Sequence, residues 1–371
     1  MHRRRRPACD HARMDASAPI PVALIGYGYA GKTFHAPLIA ATPGLALRRV
    51  ASRRADDVLA DLPDVAVDAD PLRSIEADDV DVVVIAAPNA WHAPLAEAAL
   101  RAGKHVVVDK PFTLDLAQAR ALRALAERQG RVLSVFHNRR WDGDFLGVSR
   151  LIESGRLGDV VHFESHFDRF RPQVRDRWRE SAQPGGGLWF DLGPHLIDQA
   201  LQLFGLPQSI QADIAALRPG AQTDDWAHAV LRYDKLRVIL HASMLVAAGS
   251  ARFTVHGTRG SAVKQRLDPQ EAQLLAGMRP GDDGWGVDDD PLLFQAGDGG
   301  QPETIATPAG DQRRYYVGLC DAIRTGAAPP VTSAEAVAVM AMLEAGVRSA
   351  REGRAVEPEL SAAERNAFPR A

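Results

Sequence analysis

Cysteine and lysine are both scarce in this sequence of 371 residues. Its two cysteines, Cys9 and Cys320, are too few for a disulfide framework or a cysteine-ligated metal, and they fit a reducing cytoplasm. Histidine spacings typical of metal sites, such as His-Glu-x-x-His, are also missing, so we predict no metal site. Five residues are lysine, so arginine carries most of the positive charge. Lys110 is one of these few lysines.

The sequence also lacks a strong charge imbalance and a long apolar run. Its formal net charge of -3 gives no long-range attraction to nucleic acid or to an anionic membrane, and no segment reads as a membrane span. A small-molecule partner is therefore expected. The length exceeds what one hydrophobic core usually supports, so we predict two domains, residues 20–137 and 138–371.

Residues 1–19 are expected to form a disordered basic tail. The arginine run from Arg3 to Arg6 is not followed by an apolar segment, which is not typical of a secretory signal. We interpret the run as solvated charge. Met14 is an alternative start of the natural protein, in which case the run would lie upstream of it.

The predicted fold class is α/β, with an N-terminal Rossmann domain and a C-terminal α+β domain. Short apolar strands at 21–25, 45–51, 81–87, 105–108 and 132–136 alternate with helices at 34–41, 94–102 and 116–129, which is typical of a doubly wound parallel sheet. In the predicted strands at 160–167, 229–233, 237–244 and 252–257, apolar and polar residues tend to alternate. This pattern favours a mainly antiparallel sheet with one covered face. Residues 268–308 are predicted to be mostly loop, followed by helices at 315–324 and 334–351.

A glycine-rich turn follows the first predicted strand. Gly26-Tyr27-Gly28-Tyr29-Ala30-Gly31 fits the dinucleotide-binding pattern, in which Gly26 makes the tight turn, Gly28 lets a pyrophosphate approach the backbone and Gly31 permits close helix packing. The second strand ends in Ser52, Arg53 and Arg54 instead of the acid that would bind the ribose hydroxyls. Because arginine pairs well with phosphate, we predict NADP, with NAD possible.

Two further motifs carry candidate catalytic groups. Lys110 follows the strand at 105–108, and the carboxyl ends of strands are where open α/β sheets bind ligands. Asp191 and His195 open a predicted helix, with Pro194 in its first turn, and a spacing of four can place the acid beside the imidazole as a general-base site requires. A helix cap and a core histidine remain the alternative.

Polar side chains are dense in two other segments. His137, Asn138 and Arg139 follow the last Rossmann strand. His166, Arg169 and Arg171 lie in the run 163–172, at and after the end of the strand at 160–167. Both groups are predicted to bind substrate hydroxyls or phosphates. Interdomain ion pairing is the alternative interpretation.

These motifs together resemble the Gfo/Idh/MocA family of oxidoreductases. The resemblance spans most of the chain after residue 20; it rests on the glycine turn followed by Phe34 to Leu38, on residues 102–106 leading into Asp109-Lys110-Pro111, and on residues 187–196. The blocks at 134–142, 169–172, 177–180 and 268–271 narrow it to members that act on inositols with NADP. Asp109 stands where the family usually has Glu.

The resemblance implies hydride transfer between a nicotinamide cofactor and a carbinol carbon of a cyclitol, polyol or sugar. It implies that His195 is the base, that Asp191 orients it and that Lys110 holds the substrate oxygen. It further implies an open-faced sheet and a homodimer or homotetramer. The predicted cofactor site also includes Pro88, Asn89, His92, Asp109 and Lys110. An aldose or sugar-phosphate dehydrogenase and a nucleotide-sensing regulator remain alternatives.

Overall fold

The structure is a computed structural model that describes residues 18–368. The predicted basic tail, apart from residues 18 and 19, lies outside this range, as does Cys9. No helix in the described part is long and apolar enough to cross a membrane. Cys320 is buried and has no disulfide partner among residues 18–368.

A six-stranded parallel sheet forms the first half of the chain, in the order β3-β2-β1-β4-β5-β6. This is the strand order of the Rossmann fold. The chain adds strands on one side of β1 up to β3 and on the other side from β4 onward, so the order switches between β1 and β4. The strands are β1 (Ile20–Ile25), β2 (Leu45–Ala51), β3 (Ala66–Asp68), β4 (Val82–Ile85), β5 (His105–Val108) and β6 (Leu133–Val135). All four residues of β4 are fully buried, as expected of a strand covered by helices on both faces.

Five helices connect these strands. They are α1 (Ala36–Ala40), α2 (Ala55–Asp61), α3 (Pro71–Glu76), α4 (His92–Arg101) and α5 (Leu116–Gln129). A π-helical turn, Gly31–His35, leads directly into α1. Asp115 caps α5 by accepting from the amide of Gln118 at 2.8 Å, and Gly130 ends the helix in a left-handed conformation, so both bounds follow from the sequence.

An eight-stranded sheet dominates the second half, in the order β14-β13-β12-β11-β7-β10-β9-β8. Its strands are β7 (Val160–Asp168), β8 (Ser209–Ala215), β9 (Trp226–Arg232), β10 (Arg237–Ser243), β11 (Phe253–Gly257), β12 (Gly260–Lys264), β13 (Leu292–Ala296) and β14 (Glu303–Ile305). The β7–β10 pair is parallel and the others are antiparallel, which confirms the prediction of a mainly antiparallel sheet.

Six helices accompany this sheet: α6 (Gly143–Glu153), α7 (Leu188–Phe204), α8 (Gln270–Leu275), α9 (Arg313–Thr325), α10 (Ser333–Glu352) and α11 (Ala362–Ala367). Helix α10 contacts α5 and β6 of the first sheet as well as α7 and β8. The last long helix therefore ties the two halves together.

One local prediction was confirmed and one was wrong. Residues 268–308 are mostly loop, as predicted, but they also hold α8, β13 and β14; β13 pairs with β12, and β14 pairs with β13. Helix α7 begins at Leu188, so Pro194 lies inside the helix and not in its first turn. The amide of Trp189 donates to the Asp224 carboxylate at 2.6 Å, and this contact from a distant residue caps the helix earlier than the local sequence indicated.

Candidate functional site

The glycine turn after β1 has the geometry that its three glycines predict. Gly26 has a φ of 101°, and a Cβ there would lie 2.6 Å from the carbonyl oxygen of Ala86. A Cβ on Gly31 would lie 2.1 Å from the Gly26 oxygen, whereas a Cβ on Gly28 would meet no atom within 4 Å. The turn therefore needs Gly26 and Gly31 to form, and it leaves space only beside Gly28.

A cavity of about 820 Å³ runs along the carboxyl edge of the first sheet. Its lining includes most of the predicted cofactor residues: Gly26, Tyr27, Gly28, Tyr29, Ala30, Ser52, Arg53, Arg54, Pro88 and Asp109. Arg54 donates to the carbonyl of Tyr27 at 3.1 Å and pairs with Asp57 at 3.2 Å. Arg53 forms no side-chain hydrogen bond or ion pair within residues 18–368, so its guanidinium is available to an anion at the far end of the cavity.

A second cavity, of about 400 Å³, adjoins the first between the two sheets. Five residues line both cavities: Tyr29, Ala30, Asp109, Trp178 and Arg179. The second cavity also contains Lys110, Asn138, Arg139, Arg169, Asp191 and His195 from the predicted site. A molecule bound along the glycine turn would thus end beside the candidate catalytic groups.

Lys110 and Asp191 form an ion pair between the two halves of the chain. The Lys110 ammonium donates to Asp191 Oδ1 at 3.0 Å and to the Asp191 main-chain oxygen at 2.5 Å. Burial alone would raise the pKa of Asp191, but the charges of Lys110 and of Arg179, whose Nε lies 3.5 Å from Oδ1, outweigh it and hold the pKa far below its usual range. Asp191 therefore stays ionised and holds the lysine ammonium in the cavity.

His195 lies in the same cavity and is buried. Burial lowers its pKa well below the usual 6.5, and the nearby charges of Lys110 and Arg139 lower it further. The ring is therefore neutral at neutral pH and can accept a proton. Its Nδ1 is buried without a hydrogen-bond partner in the described part of the chain, and Asp191 does not contact it through a hydrogen bond. The sequence-based expectation that Asp191 orients His195 differs from this arrangement, in which Asp191 serves Lys110.

A chain of hydrogen bonds connects the glycine turn to the second half of the molecule. Tyr29 donates to Glu271 at 2.8 Å, and Glu271 also accepts from Arg139 at 2.7 Å. Arg139 donates in addition to the buried Asp142 at 3.0 Å. Glu271 had no predicted role, although the sequence block that contains it contributed to the family resemblance. Its contacts fix Arg139 at the cavity wall.

Five arginines from one segment line the second cavity. Arg169, Arg171, Arg175, Arg177 and Arg179 all line the second cavity. The sequence predicted a binding role for Arg169 and Arg171. The density of arginine between residues 169 and 179 is the signal that could have revealed the other three. Arg175 and Arg177 pair with Glu180, but Arg169 and Arg171 form no ion pair within residues 18–368.

Five predicted site residues line neither cavity, and one of them is the buried Gly31 of the glycine turn. Asn89 donates to the carbonyl of Gly185 at 2.9 Å, and both ring nitrogens of the buried His92 contact main-chain oxygens, of Pro111 at 2.7 Å and Ala87 at 2.9 Å. These two residues hold loops in place behind the cofactor cavity. His137 is buried and lines neither cavity.

The fifth, His166, points to the other face of the eight-stranded sheet. Side chains alternate along a strand, and Phe163, Ser165 and Phe167 of β7 face the buried side. Phe167 lies beside the His195 ring, with 6.2 Å between the ring centroids. His166 therefore lies on the opposite face, with Glu164 and Asp168, and does not line the cavity.

A dinucleotide-type turn that leads into a cavity with a lysine, an ionised acid and a neutral imidazole defines an NAD(P)-dependent oxidoreductase. Residues 20–137 match the NAD-binding Rossmann fold of the Gfo/Idh/MocA oxidoreductases, and residues 149–357 match the C-terminal alpha/beta domain of the same family. The chain belongs to this family and is a dehydrogenase that acts on CH–OH groups.

Similar proteins agree with this assignment along most of the chain. The uncharacterized oxidoreductase YdgJ of Escherichia coli is 55% identical over 90% of this chain and 96% of that protein. The scyllo-inositol 2-dehydrogenase (NADP(+)) IolW of Bacillus subtilis is 37% identical over 91% of this chain and 95% of that protein. A crystal structure from Klebsiella pneumoniae superposes with a TM-score of 0.89 at 60% identity, covering 94% of this chain and 98% of that one.

Proposed function

We propose that this protein is an NADP-dependent oxidoreductase that interconverts a hydroxyl of a cyclitol, polyol or sugar and the corresponding ketone, with scyllo-inositol as the foremost substrate. The observation that carries the proposal is the position of Lys110 and His195 in a cavity that shares part of its wall with the nucleotide cavity. The resemblance to the NADP-dependent IolW supports the choice of substrate and cofactor.

The first cavity suits a nicotinamide dinucleotide. Gly28 leaves open the space that a pyrophosphate needs to reach the backbone, since a side chain there would meet nothing in the protein but would fill that space. Ser52 and Arg53 lie at the other end, where a 2′-phosphate would receive charge-assisted hydrogen bonds. These residues support NADP over NAD.

The groups of the second cavity fit the proton chemistry of alcohol oxidation. A bound nicotinamide supplies the hydride acceptor or donor. The neutral His195 accepts the hydroxyl proton at Nε2, since its Nδ1 is buried, and the Lys110 ammonium stabilises the developing alkoxide in a site with little water. Asp191 keeps Lys110 in place and Arg139 and Asn138 offer hydrogen bonds to further hydroxyls.

One observation favours a second candidate substrate class, a sugar phosphate. Arg169 and Arg171 line the cavity without an ion-pair partner in the described part of the chain. Burial lowers the pKa of Arg171, and the charges of Arg169 and Arg175 lower it further, so an anion would relieve the repulsion among these groups. A phosphate on the substrate is one such anion, and the cofactor phosphates are the other.

Initial rates of NADP reduction with a panel of inositol isomers, aldoses and their monophosphates test the proposal, with NAD run in parallel. The proposal expects the highest kcat/KM with scyllo-inositol and NADP. A strong preference for a phosphorylated sugar would select the second candidate. No turnover with any polyol in either direction, at normal cofactor binding, would contradict both and favour a nucleotide-sensing regulator.

The resemblance to the family also supports a homodimer or homotetramer, associated through the face of the eight-stranded sheet that the helices leave uncovered. We propose this assembly together with a cytoplasmic location. Analytical ultracentrifugation of the full chain measures the oligomeric state, and a monomer at assay concentration would contradict the proposed association.

A further inference from the structure

Three potential metal ligands lie together on the uncovered face of the eight-stranded sheet. His166 and Asp168 are two residues apart on β7, and His241 is the register partner of His166 on the neighbouring strand β10. One ligand atom from each lies within 4.8 Å of the other two. All three side chains are largely buried although their face is uncovered, with 18%, 4% and 9% of their surface exposed.

His166 lies between two carboxylates, so its neutral ring must present a lone pair to one of them. Its Nε2 lies 2.9 Å from Glu164 Oε2 and donates to it in the neutral ring. The other nitrogen, Nδ1, then presents its lone pair to Asp168 Oδ2 at 3.3 Å. Two acceptors facing each other repel unless a proton or a metal ion lies between them.

The contacts of His241 have the same consequence. Its Nδ1 lies 3.3 Å from Nδ1 of His228, and with His241 as the donor its Nε2 lone pair faces Asp168 Oδ1 at 3.5 Å. Asp168 Oδ1 is buried and accepts no hydrogen bond within residues 18–368, whereas Oδ2 accepts from Ser250. A buried, ionised oxygen without a partner is costly, and a cation would satisfy it.

We propose that His166 Nδ1, Asp168 and His241 Nε2 form a binding site for a divalent transition-metal ion of the zinc type. In a tetrahedral site with metal–ligand distances of about 2.0–2.2 Å, neighbouring ligand atoms are about 3.3–3.6 Å apart. Asp168 Oδ2 lies 3.3 Å from His166 Nδ1 and Oδ1 lies 3.5 Å from His241 Nε2, so each histidine faces its own carboxylate oxygen at a spacing within this range. Two imidazoles and one carboxylate suit zinc, and water completes the coordination.

The surroundings of the three ligands match those of known metal sites. Metal-binding histidines usually donate their other ring N–H to a carboxylate or another acceptor, which fixes the tautomer. Glu164 is that acceptor for His166, and His228 is that acceptor for His241.

Metal binding by the untagged, full-length protein tests the proposal. After treatment with a chelator, Zn²⁺ is titrated by calorimetry and Co²⁺ by its visible absorption, which reports coordination geometry. We expect one equivalent bound per chain and a tetrahedral Co²⁺ spectrum. Asp168→Asn and His241→Gln should each weaken binding at least about tenfold. His256→Gln, on the same sheet face but bonded to Ser261, should leave it unchanged.

Several results would overturn the proposal. No saturable Zn²⁺ binding, or equal losses in His256→Gln and His241→Gln, would each show that these residues form no metal site. An octahedral Co²⁺ spectrum would contradict the proposed zinc-type geometry. In that case protons hold the cluster together, and NMR titration of the histidine rings would show His166 protonated at neutral pH. The Co²⁺ spectrum of the unmodified protein decides the matter even where a variant fails to fold.

Discussion

Lys110 donates to both the carboxylate and the main-chain oxygen of Asp191, and this contact joins the end of β5 to helix α7. The pair brings together the two halves of the molecule at the point where the two cavities meet. Because Asp191 holds the ammonium, the two residues should act as one unit in catalysis.

A double-mutant cycle measures this coupling. Lys110→Met and Asp191→Asn should each lower kcat, and the double variant should lose much less than the two single losses combined, since removing either partner already breaks the contact. We expect a coupling of roughly 1–3 kcal/mol from steady-state kcat values. Lys235→Met, which replaces an exposed lysine, is the control. Strictly additive losses would mean that Asp191 acts independently of Lys110.

The pH dependence of oxidation reports on His195. Its pKa is lowered well below 6.5 by burial and by the charges of Lys110 and Arg139, so the neutral, proton-accepting form persists below that pH. The kcat/KM for the alcohol should therefore stay level as the pH falls through 6.5 and decline only when it passes through the lowered pKa. His195→Ala should lose this acidic limb together with most of its turnover. An acidic limb centred at 6.5 or above would not fit a buried base.

Two glycines of the same turn should have different roles. In Gly31→Ala the new Cβ would lie 2.1 Å from the Gly26 oxygen, so the variant should lose stability. In Gly28→Ala the Cβ meets no protein atom, so the thermal midpoint should be unchanged while cofactor affinity falls. Thermal denaturation and fluorescence titration with NADPH separate the two effects. Normal NADPH binding by Gly28→Ala would show that the pyrophosphate does not pass this turn.

The cofactor preference should depend on Arg53. Arg53→Ala should raise KM for NADP by about one to two decades, which corresponds to roughly 1.5–3 kcal/mol for a charge-assisted phosphate hydrogen bond, and should leave KM for NAD nearly unchanged. Arg128→Ala, an exposed arginine on α5, is the matched control. If both cofactors weakened equally, Arg53 would not be a phosphate ligand.

Local patterns predicted five of the six strands in the first sheet, but not β3 or helices α2 and α3. Strands β2 and β5 and helix α5 have the predicted bounds, because each combines an apolar run with its own cap or turn residues. The geometry of the three glycines followed in the same way, since the motif and its neighbours in the sequence determine it.

Contacts between distant residues could not be predicted from such patterns. A spacing of four suggested that Asp191 serves His195, but Lys110, from another part of the chain, takes the carboxylate. The position of His166, in contrast, could have been predicted. Side chains alternate along β7, so His166 lies on the sheet face opposite to that of the buried Phe167. Strand β13 depends on pairing with β12, which no local pattern reveals.

The most direct test of the account is a stopped-flow measurement of a single turnover of NADP reduction, with cofactor affinity measured in parallel. Lys110→Met and His195→Ala should slow the hydride step by about two to four decades, the range typical of oxyanion stabilisers and general bases, with little change in NADP affinity. Lys235→Met should match the unmodified protein. If the Lys110 and His195 variants kept near-normal hydride transfer and lost only stability, neither residue would be catalytic and the account would be contradicted.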